Sequence, residues 1–326
     1  MQEEHHFLLV GLFAVVVAVM MMLFVQQQLS KPILSKHVAS VRLFLVRHGQ
    51  RIDQADRSWR NRSTTPTSQI YEPYLSDLGR EQVLQLGHYL NHTLLFNNNN
   101  HSSSCNKHHT FIFSSPFLRC LQTSDAIARA TGVQSIIVEP GIQEYHFSDR
   151  LWTREKLPQF LFDQITTPVH FYNSTRADQT TYVPAIDFEQ YFVQQLINRE
   201  EELDQFERRV FISLQHMIQY ALHWKKNHHL HHSTTTGTMT TCIIVVTHAS
   251  GVLIGANSLL QQAPSIIMGR ERCKRYIPIR TGTASVTEFT SVDMGLTFSC
   301  VQNGTFHFLS SGETNPYHMR NDYCKN

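Results

Sequence analysis

The segment VRLFLVRHGQR, residues 41–51, joins a short apolar run directly to a group of polar residues. The same arrangement recurs at 110–113, which leads straight into SSPFLRCLQTS, and at CIIVVT (242–247), which ends on His248. Short apolar runs separated by helical segments indicate an α/β domain with a largely parallel sheet. We therefore predict a three-layer sandwich in which helices cover both faces of the sheet.

Further elements follow from local signals along the chain. Ser76 is predicted to cap a helix, and Pro116 to lie near the first turn of another. Residues 135–138 are predicted to form a third strand, and 188–224 a long helix with one apolar face packed on the core. Residues 145–187 lack periodicity and hold several aromatic and Pro residues, so we expect an insertion or lid that forms a wall of the site.

Two stretches of low complexity, 97–109 and 228–241, are predicted to be solvated loops. The second contains a run of histidines that a metal ion could use, namely His228, His229, His231 and His232. The run has no Cys or carboxylate partner at ligand spacing. We therefore predict no metal site there.

Residues 7–25 form an apolar run of 19 residues without a Lys, Arg, Asp or Glu. As a helix this run would be about 28 Å long, close to the hydrocarbon thickness of a bilayer. We predict an N-terminal membrane anchor within residues 1–40, followed by a catalytic domain over 41–326. A secretory signal peptide and a buried core helix are the alternatives.

Two signals make different predictions about which side of the membrane the catalytic domain lies on. Basic residues follow the apolar run while only acidic residues precede it, which places the catalytic part in the cytoplasm. Glycosylation triplets suit a lumenal domain instead, and they begin at Asn61, Asn91, Asn100, Asn173 and Asn303. The six cysteines do not decide between the two. We follow the charge rule and predict a cytoplasmic catalytic domain, with a lumenal or extracellular domain as the alternative.

Charge excludes one class of partner. The net charge is +2, charged residues make up 17% of the chain, and the basic residues cluster only at 270–275. A nucleic-acid-binding protein would show a larger basic block, so we predict no nucleic-acid partner.

The polar residues that follow the strands are suited to phosphoryl transfer. Four such segments supply three arginines, two histidines and one carboxylate, namely Arg47, His48, Arg51, Arg119, Glu144 and His248. A guanidinium group can bind two phosphoryl oxygens at once through two N–H groups, and a neutral imidazole can attack phosphorus. A histidine at a strand end is usually an ordinary satisfied polar residue, so the prediction depends on all six residues occurring together at the carboxyl edge of one sheet.

Five motifs carry a family resemblance. In order they are RHGQR (47–51), LSDLGREQ (75–82), SSPFLRCLQT (114–123), VEPGIQEY (138–145) and VTHAS (246–250). This series resembles the histidine phosphatase, or phosphoglycerate mutase-like, superfamily over about residues 41 to 310. Within the superfamily it is most similar to the phosphatase domains of the suppressor of T-cell receptor signalling proteins and of ecdysteroid-phosphate phosphatase.

The resemblance implies hydrolysis of phosphate monoesters through a phosphohistidine on His48, with Glu144 as the general acid and no cofactor. The side chains that would bind the phosphoryl oxygens are Arg47, Arg51, Arg119 and His248. A phosphorylated small molecule or a phosphotyrosine protein would be the substrate. A homodimer is left open.

Other functions are weighed against this one. A mutase of the superfamily usually has Ser where Arg51 stands, followed by a nearby Trp-Asn, whereas the next Trp here is Trp59. The acid phosphatase and phytase branch usually has Pro where Asp53 stands and Asp where Ala249 follows His248. A membrane receptor or scaffold without activity would have no need for both a nucleophile and an acid.

Overall fold

Seven strands form one mixed sheet in the described part of the chain. They are β1 Ser40–Arg47, β2 Thr110–Ser114, β3 Ile136–Val138, β4 Val169–His170, β5 Thr240–Thr247, β6 Val286–Ser291 and β7 Ser299–Thr305. Their order across the sheet is β4-β3-β2-β5-β1-β6-β7. The first five in this order run parallel, while β6 and β7 are antiparallel to their neighbours. The prediction of a largely parallel sheet thus holds for five of the seven strands, and the two antiparallel strands were not predicted.

The computed structural model describes residues 40–62, 72–96, 110–145, 165–170, 201, 203–229, 240–261 and 277–317. These residues belong to the unit Val38–Asn326. Several predicted segments lie outside them: the anchor at 7–25, the loop at 97–109, most of 145–187, residues 188–200, and the histidines of 228–241 beyond His229. No helix among the described residues is long and apolar enough to span a membrane.

Five α-helices accompany the sheet among the described residues: α1 Ile52–Ala55, α2 Asp77–Phe96, α3 Leu118–Thr131, α4 Leu203–His229 and α5 Ala249–Gln261. Alternate residues of β1 point to opposite faces of the sheet. Phe44 and Val46 enter a core formed with α2 and α3, whereas Leu43 and Leu45 enter a second core formed with α4 and α5. The predicted three layers therefore have a hydrophobic core on each side of the sheet.

Two helix starts can be compared with their predictions. Ser76 does cap α2, because its hydroxyl accepts a hydrogen bond from the Gly79 backbone N–H at 3.0 Å. Pro116 lies two residues before α3, near its first turn as predicted. Phe117 keeps extended backbone angles (φ −64°, ψ 137°), so the helix begins only at Leu118. This placement puts the next residue, Arg119, in the first turn of α3.

Candidate active site

The carboxyl ends of β1 and β5 form the centre of the site. The two parallel strands pair in register up to Arg47 and Thr247, so the histidine that follows each strand lies beside the other. The His48 backbone N–H donates to the Thr247 carbonyl at 3.1 Å, and the two imidazole centroids are 5.4 Å apart. The adjacent strand ends thus bring together two histidines that are 200 positions apart in sequence.

The environment of His48 defines which of its nitrogens can react. Nδ1 lies 2.7 Å from the carbonyl oxygen of Gly49, and because a carbonyl only accepts, Nδ1 carries the proton. The other nitrogen, Nε2, then holds the lone pair. Burial and the nearby charges, Arg119 foremost, lower the pKa of His48 well below 6.5. The imidazole is therefore neutral near pH 7, which is the form that can act as a nucleophile.

Two glycines allow the chain after His48 to pack closely against α2. A Cβ at Gly49 would lie 2.7 Å from the Gly79 carbonyl oxygen, and a Cβ at Gly79 would lie 2.1 Å from the Gln50 carbonyl oxygen. No real side chain tolerates such distances. Gly79 belongs to the second of the five motifs, so its contact with Gly49 explains why the first two motifs occur together.

Arg47 is held by the C-terminal part of the chain. Its Nη1 donates to the carbonyl oxygens of Thr281 at 2.5 Å and Asn315 at 2.6 Å. Burial lowers the pKa of Arg47 to about 10, so it remains charged near neutral pH. Sequence reasoning did not identify the segment 281–317 as part of the site.

Arg119 lies between the second histidine and the candidate acid. Its Nη2 donates to a Glu144 carboxylate oxygen at 3.4 Å and lies 3.1 Å from His248 Nδ1. The guanidinium carbon lies 4.5 Å from the ring centroid of Phe117, the residue that precedes α3. Arg119 is 3% exposed, so this cation is fixed at the floor of the site.

His248 and Glu144 form a coupled pair. The Glu144 oxygen Oε2 is 3.1 Å from His248 Nδ1, and Oε1 accepts from the Ser250 hydroxyl at 2.8 Å. Burial opposes ionisation of Glu144, but His248 and Arg119 outweigh it and hold the pKa of this carboxyl well below 4.5. Burial lowers the pKa of His248 to about 4, although the Glu144 charge opposes this. Glu144 is thus a carboxylate in the ligand-free site.

The second ring nitrogen of His248 has its own partner. Nε2 lies 2.9 Å from the hydroxyl of Ser115, which directly follows β2. Because the Glu144 carboxylate at Nδ1 can only accept, Nδ1 carries the proton, and Nε2 of the neutral ring accepts from the Ser115 hydroxyl. Ser115 and Glu144 therefore fix the orientation of the ring.

Arg51 is part of a small charge cluster at the mouth of the site. Both Asp53 oxygens accept from Arg51, at 2.9 and 3.1 Å, and one of them also accepts from Arg60, at 2.6 Å. Burial opposes ionisation of Asp53, but Arg51 and Arg60 lower its pKa. Arg60 was not found by sequence reasoning, since nothing in its local sequence marks it.

A cavity of about 360 Å³ joins these groups. Its lining consists of Arg47, His48, Arg51, Gln54, Arg60, Pro73, Phe117, Arg119, Glu144, Tyr145, Ala249, Ser250 and Tyr317. The structure thus brings five of the six predicted site residues to one cavity and places His248 directly against Arg119 and Glu144. Tyr145 is the one described residue of the predicted wall 145–187 that lines it.

Glu72 is a further titratable group near the site that the sequence did not reveal. Its carboxylate accepts a hydrogen bond from the Leu118 backbone N–H at the start of α3. Burial raises the pKa of Glu72 to about 7, although Arg119 opposes this shift. Glu72 therefore holds the start of the helix that carries Arg119.

Three of the site residues could also be considered as metal ligands. Atoms of His48, Glu144 and His248 lie within 4.8 Å of one another. Arg119, however, already places a permanent positive charge 3.1 Å from His248 and 3.4 Å from Glu144. A second cation in the same position would be repelled, so the cluster is better suited to an anion.

Comparison with known proteins identifies the class. Residues 43–159 match the sequence profile of the histidine phosphatase superfamily (branch 1). Residues 43–159 therefore belong to a histidine phosphatase superfamily domain, as the motifs predict. The profile match includes His48, Arg119 and Glu144 but ends before His248. Comparison with curated proteins gives no match.

Similar folds are found among solved structures. The ecdysone phosphate phosphatase from Bombix mori, in complex with tungstate, has a TM-score of 0.50 and 15% identity, covering 81% of this chain and 92% of that one. A mycobacterial glucosyl-3-phosphoglycerate phosphatase has a TM-score of 0.44 and 16% identity, with coverage of 82% and 99%. A phosphoglycerate mutase from Bacillus anthracis has 0.43 and 14%, with coverage of 85% and 98%. At these identities the likeness to the first concerns the fold alone.

Proposed function

We propose that this protein hydrolyses phosphate monoesters through a covalent phosphohistidine on His48. The observation that carries the proposal is the state of this imidazole. Its Nδ1 proton is committed to the Gly49 carbonyl, its pKa is depressed, and it lines a cavity that also contains Arg47 and Arg119. A neutral imidazole beside fixed guanidinium groups provides both a nucleophile and a binding site for phosphoryl oxygens.

The charge of the site supports a dianionic substrate. Four guanidinium groups line the cavity, those of Arg47, Arg51, Arg60 and Arg119. Two carboxylates balance part of this charge, Glu144 in the lining and Asp53 bound to Arg51. The remaining two positive charges equal the charge of an ionised phosphate monoester. Such a ligand would be neutralised on binding.

The reaction proceeds in two displacements. In the first, the Nε2 lone pair of His48 forms a bond to phosphorus while the bond from phosphorus to the ester oxygen breaks. The departing oxygen takes a proton from Glu144 and leaves as an alcohol or phenol. In the second, water attacks phosphorus, its proton returns to the Glu144 carboxylate, and His48 is released with inorganic phosphate.

Glu144 must be protonated to act as the acid, although its pKa is low in the ligand-free site. His248 and Arg119 cause this low pKa, and a phosphoryl dianion beside Arg119 would raise it. Binding of the substrate therefore favours the protonated acid. Asp53, the next acidic residue along the chain from His48, is less suitable because Arg51 and Arg60 both stabilise its ionised form.

The substrate is proposed to be a phosphorylated small molecule or a phosphotyrosine protein, and a panel of monoesters would separate the two. The decisive experiment traps the intermediate. Brief reaction of the full chain with radiolabelled aryl phosphate should label the protein, and the label should be lost in acid and kept in base. His48→Ala should remove the label, while the exposed control Arg208→Lys should retain it. Label that resists acid and resides on Ser or Thr would overturn the proposal.

A further inference from the structure

We infer that Arg209 on α4 is a positioning residue that fixes Glu144 for proton transfer, an inference that rests on the proposed function. Arg209 lies outside the matched family profile and does not line the cavity. It binds the backbone of the segment that carries Glu144.

The guanidinium of Arg209 contacts three carbonyl groups of this segment. Nη1 donates to the Gly141 oxygen at 2.8 Å and to the Gln143 oxygen at 3.3 Å. Nη2 lies 3.5 Å from the carbonyl oxygen of Glu144 itself. One side chain thus restrains the stretch from Gly141 to Glu144.

Arg209 is itself held in place by Glu201. The two carboxylate oxygens of Glu201 accept from Nε and Nη2 of Arg209, each at 2.7 Å. Arg209 is 2% exposed and Glu201 is 5% exposed, so the pair is buried. A paired fork of this kind fixes the plane of the guanidinium, and a lysine ammonium cannot reproduce it.

The neighbouring positions on the same face of α4 hold the rest of the segment. Phe206, one turn earlier, has its ring centroid 5.0 Å from that of Tyr145. Ser213, one turn later, donates at 3.2 Å to Glu139, which also accepts from the Gly141 backbone N–H at 2.7 Å. The spacing of three and four residues places these groups above one another along the helix. The face of α4 therefore supports the whole stretch from 139 to 145.

Loss of the contacts made by Arg209 should affect proton donation by Glu144 and not the binding of the phosphoryl group. The phosphoryl group would be held by Arg47, Arg51 and Arg119, none of which contacts Arg209 in the described hydrogen bonds. Displacing Glu144 would weaken protonation of the leaving oxygen but leave attack by His48 intact. An alkyl phosphate needs that proton, whereas a nitrophenyl phosphate expels a stable anion without it.

The experiment compares kcat on an alkyl and on a nitrophenyl phosphate for the full chain. Arg209→Lys should lower the alkyl-to-aryl ratio roughly 10- to 100-fold, the effect of a small misplacement of a reacting group. Arg208→Lys is the matched control, since Arg208 is adjacent on the helix and exposed, and its ratio should be unchanged. In a Glu144→Gln background, adding Arg209→Lys should change the ratio no further.

Failure of this inference can be distinguished from failure of the proposed function. Equal loss on both esters, with a lower thermal midpoint, would show that Arg209 only stabilises the fold and would overturn the inference. If Arg209→Lys does not fold, Glu201→Gln tests the same contact, and it should shift the ratio in the same direction by a smaller factor. An unchanged ratio there would also refute the role of Arg209. A parent chain that hydrolyses neither ester would instead refute the proposed function.

Discussion

The ends of β1 and β5 differ in how each holds its histidine. Both strands are buried, parallel and paired in register, and each is followed at once by a histidine. At the end of β1, the imidazole of His48 is oriented by the carbonyl of the very next residue. At the end of β5, the imidazole of His248 is oriented by Ser115, Arg119 and Glu144, which lie on other segments.

The same residue at equivalent strand ends thus has different hydrogen-bond partners, which suits the two histidines to different roles. A local hydrogen bond leaves the second nitrogen of His48 available for reaction. The partners of His248 engage both of its nitrogens, so this ring is suited to organising charge. We therefore propose that the β1 end supplies the attacking group and that the β5 end helps to bind the phosphoryl oxygens.

The strongest way to break this comparison is to remove each ring in turn. His48→Ala should lower kcat roughly 10⁴- to 10⁶-fold, the loss typical of deleting a nucleophile. His248→Ala should lower it roughly 10²- to 10³-fold, the loss typical of deleting an electrostatic donor. Steady-state kinetics on nitrophenyl phosphate measures both, and circular dichroism checks folding. A larger loss for His248→Ala would reverse the assignment.

A second test concerns Glu144, the carboxylate partner of His248 at the β5 end. Glu144→Gln should lower kcat on an alkyl phosphate roughly 10²- to 10⁴-fold, and much less on a nitrophenyl phosphate. The reason is that only the alkyl ester requires a proton on its leaving oxygen. Equal losses on the two esters would make Glu144 a structural carboxylate, and the acid would have to be sought elsewhere.

A third test, with the smallest expected effect, concerns the pKa of His48 at the β1 end. The active form of His48 is neutral, and its pKa is lowered by burial and by Arg119, so activity should persist as the pH falls through 6.5. Between pH 7 and 5.5, kcat/KM corrected for substrate ionisation should fall less than about twofold, whereas a histidine with the ordinary pKa would give about a tenfold loss. An acid limb near pH 6.5 would show that His48 is solvated like a surface histidine.

Much of the central fold was predictable because its strands are buried on both faces. Such strands are almost continuously apolar, as 41–46 and 242–247 show, and they can be recognised without any periodicity. The strands β6 and β7 were missed for the opposite reason. The sequence of β6 is rich in Thr and Ser, and most of β7 is exposed, so neither has a strong apolar signal.

The same contrast applies to the site. The six predicted residues follow strands or begin a helix, where the topology itself directs them to one edge of the sheet. Glu72 and Arg209 act through contacts with residues distant in sequence, and Arg60 acts through Asp53, seven positions away. Their roles depend on tertiary packing, so no local pattern could have revealed them.

The pairing of β1 with β5 also has a consequence for the synthesis of this protein. The strand that precedes His48 leaves the ribosome about two hundred residues before its partner, as the hydrogen bond between Ser40 and Thr240 illustrates. Closing so long a loop is entropically costly and slows folding. During most of translation, the apolar β1 has no neighbour on that side. The nascent chain therefore has a long interval in which chaperones could bind, and the catalytic centre is completed only after His248 has emerged.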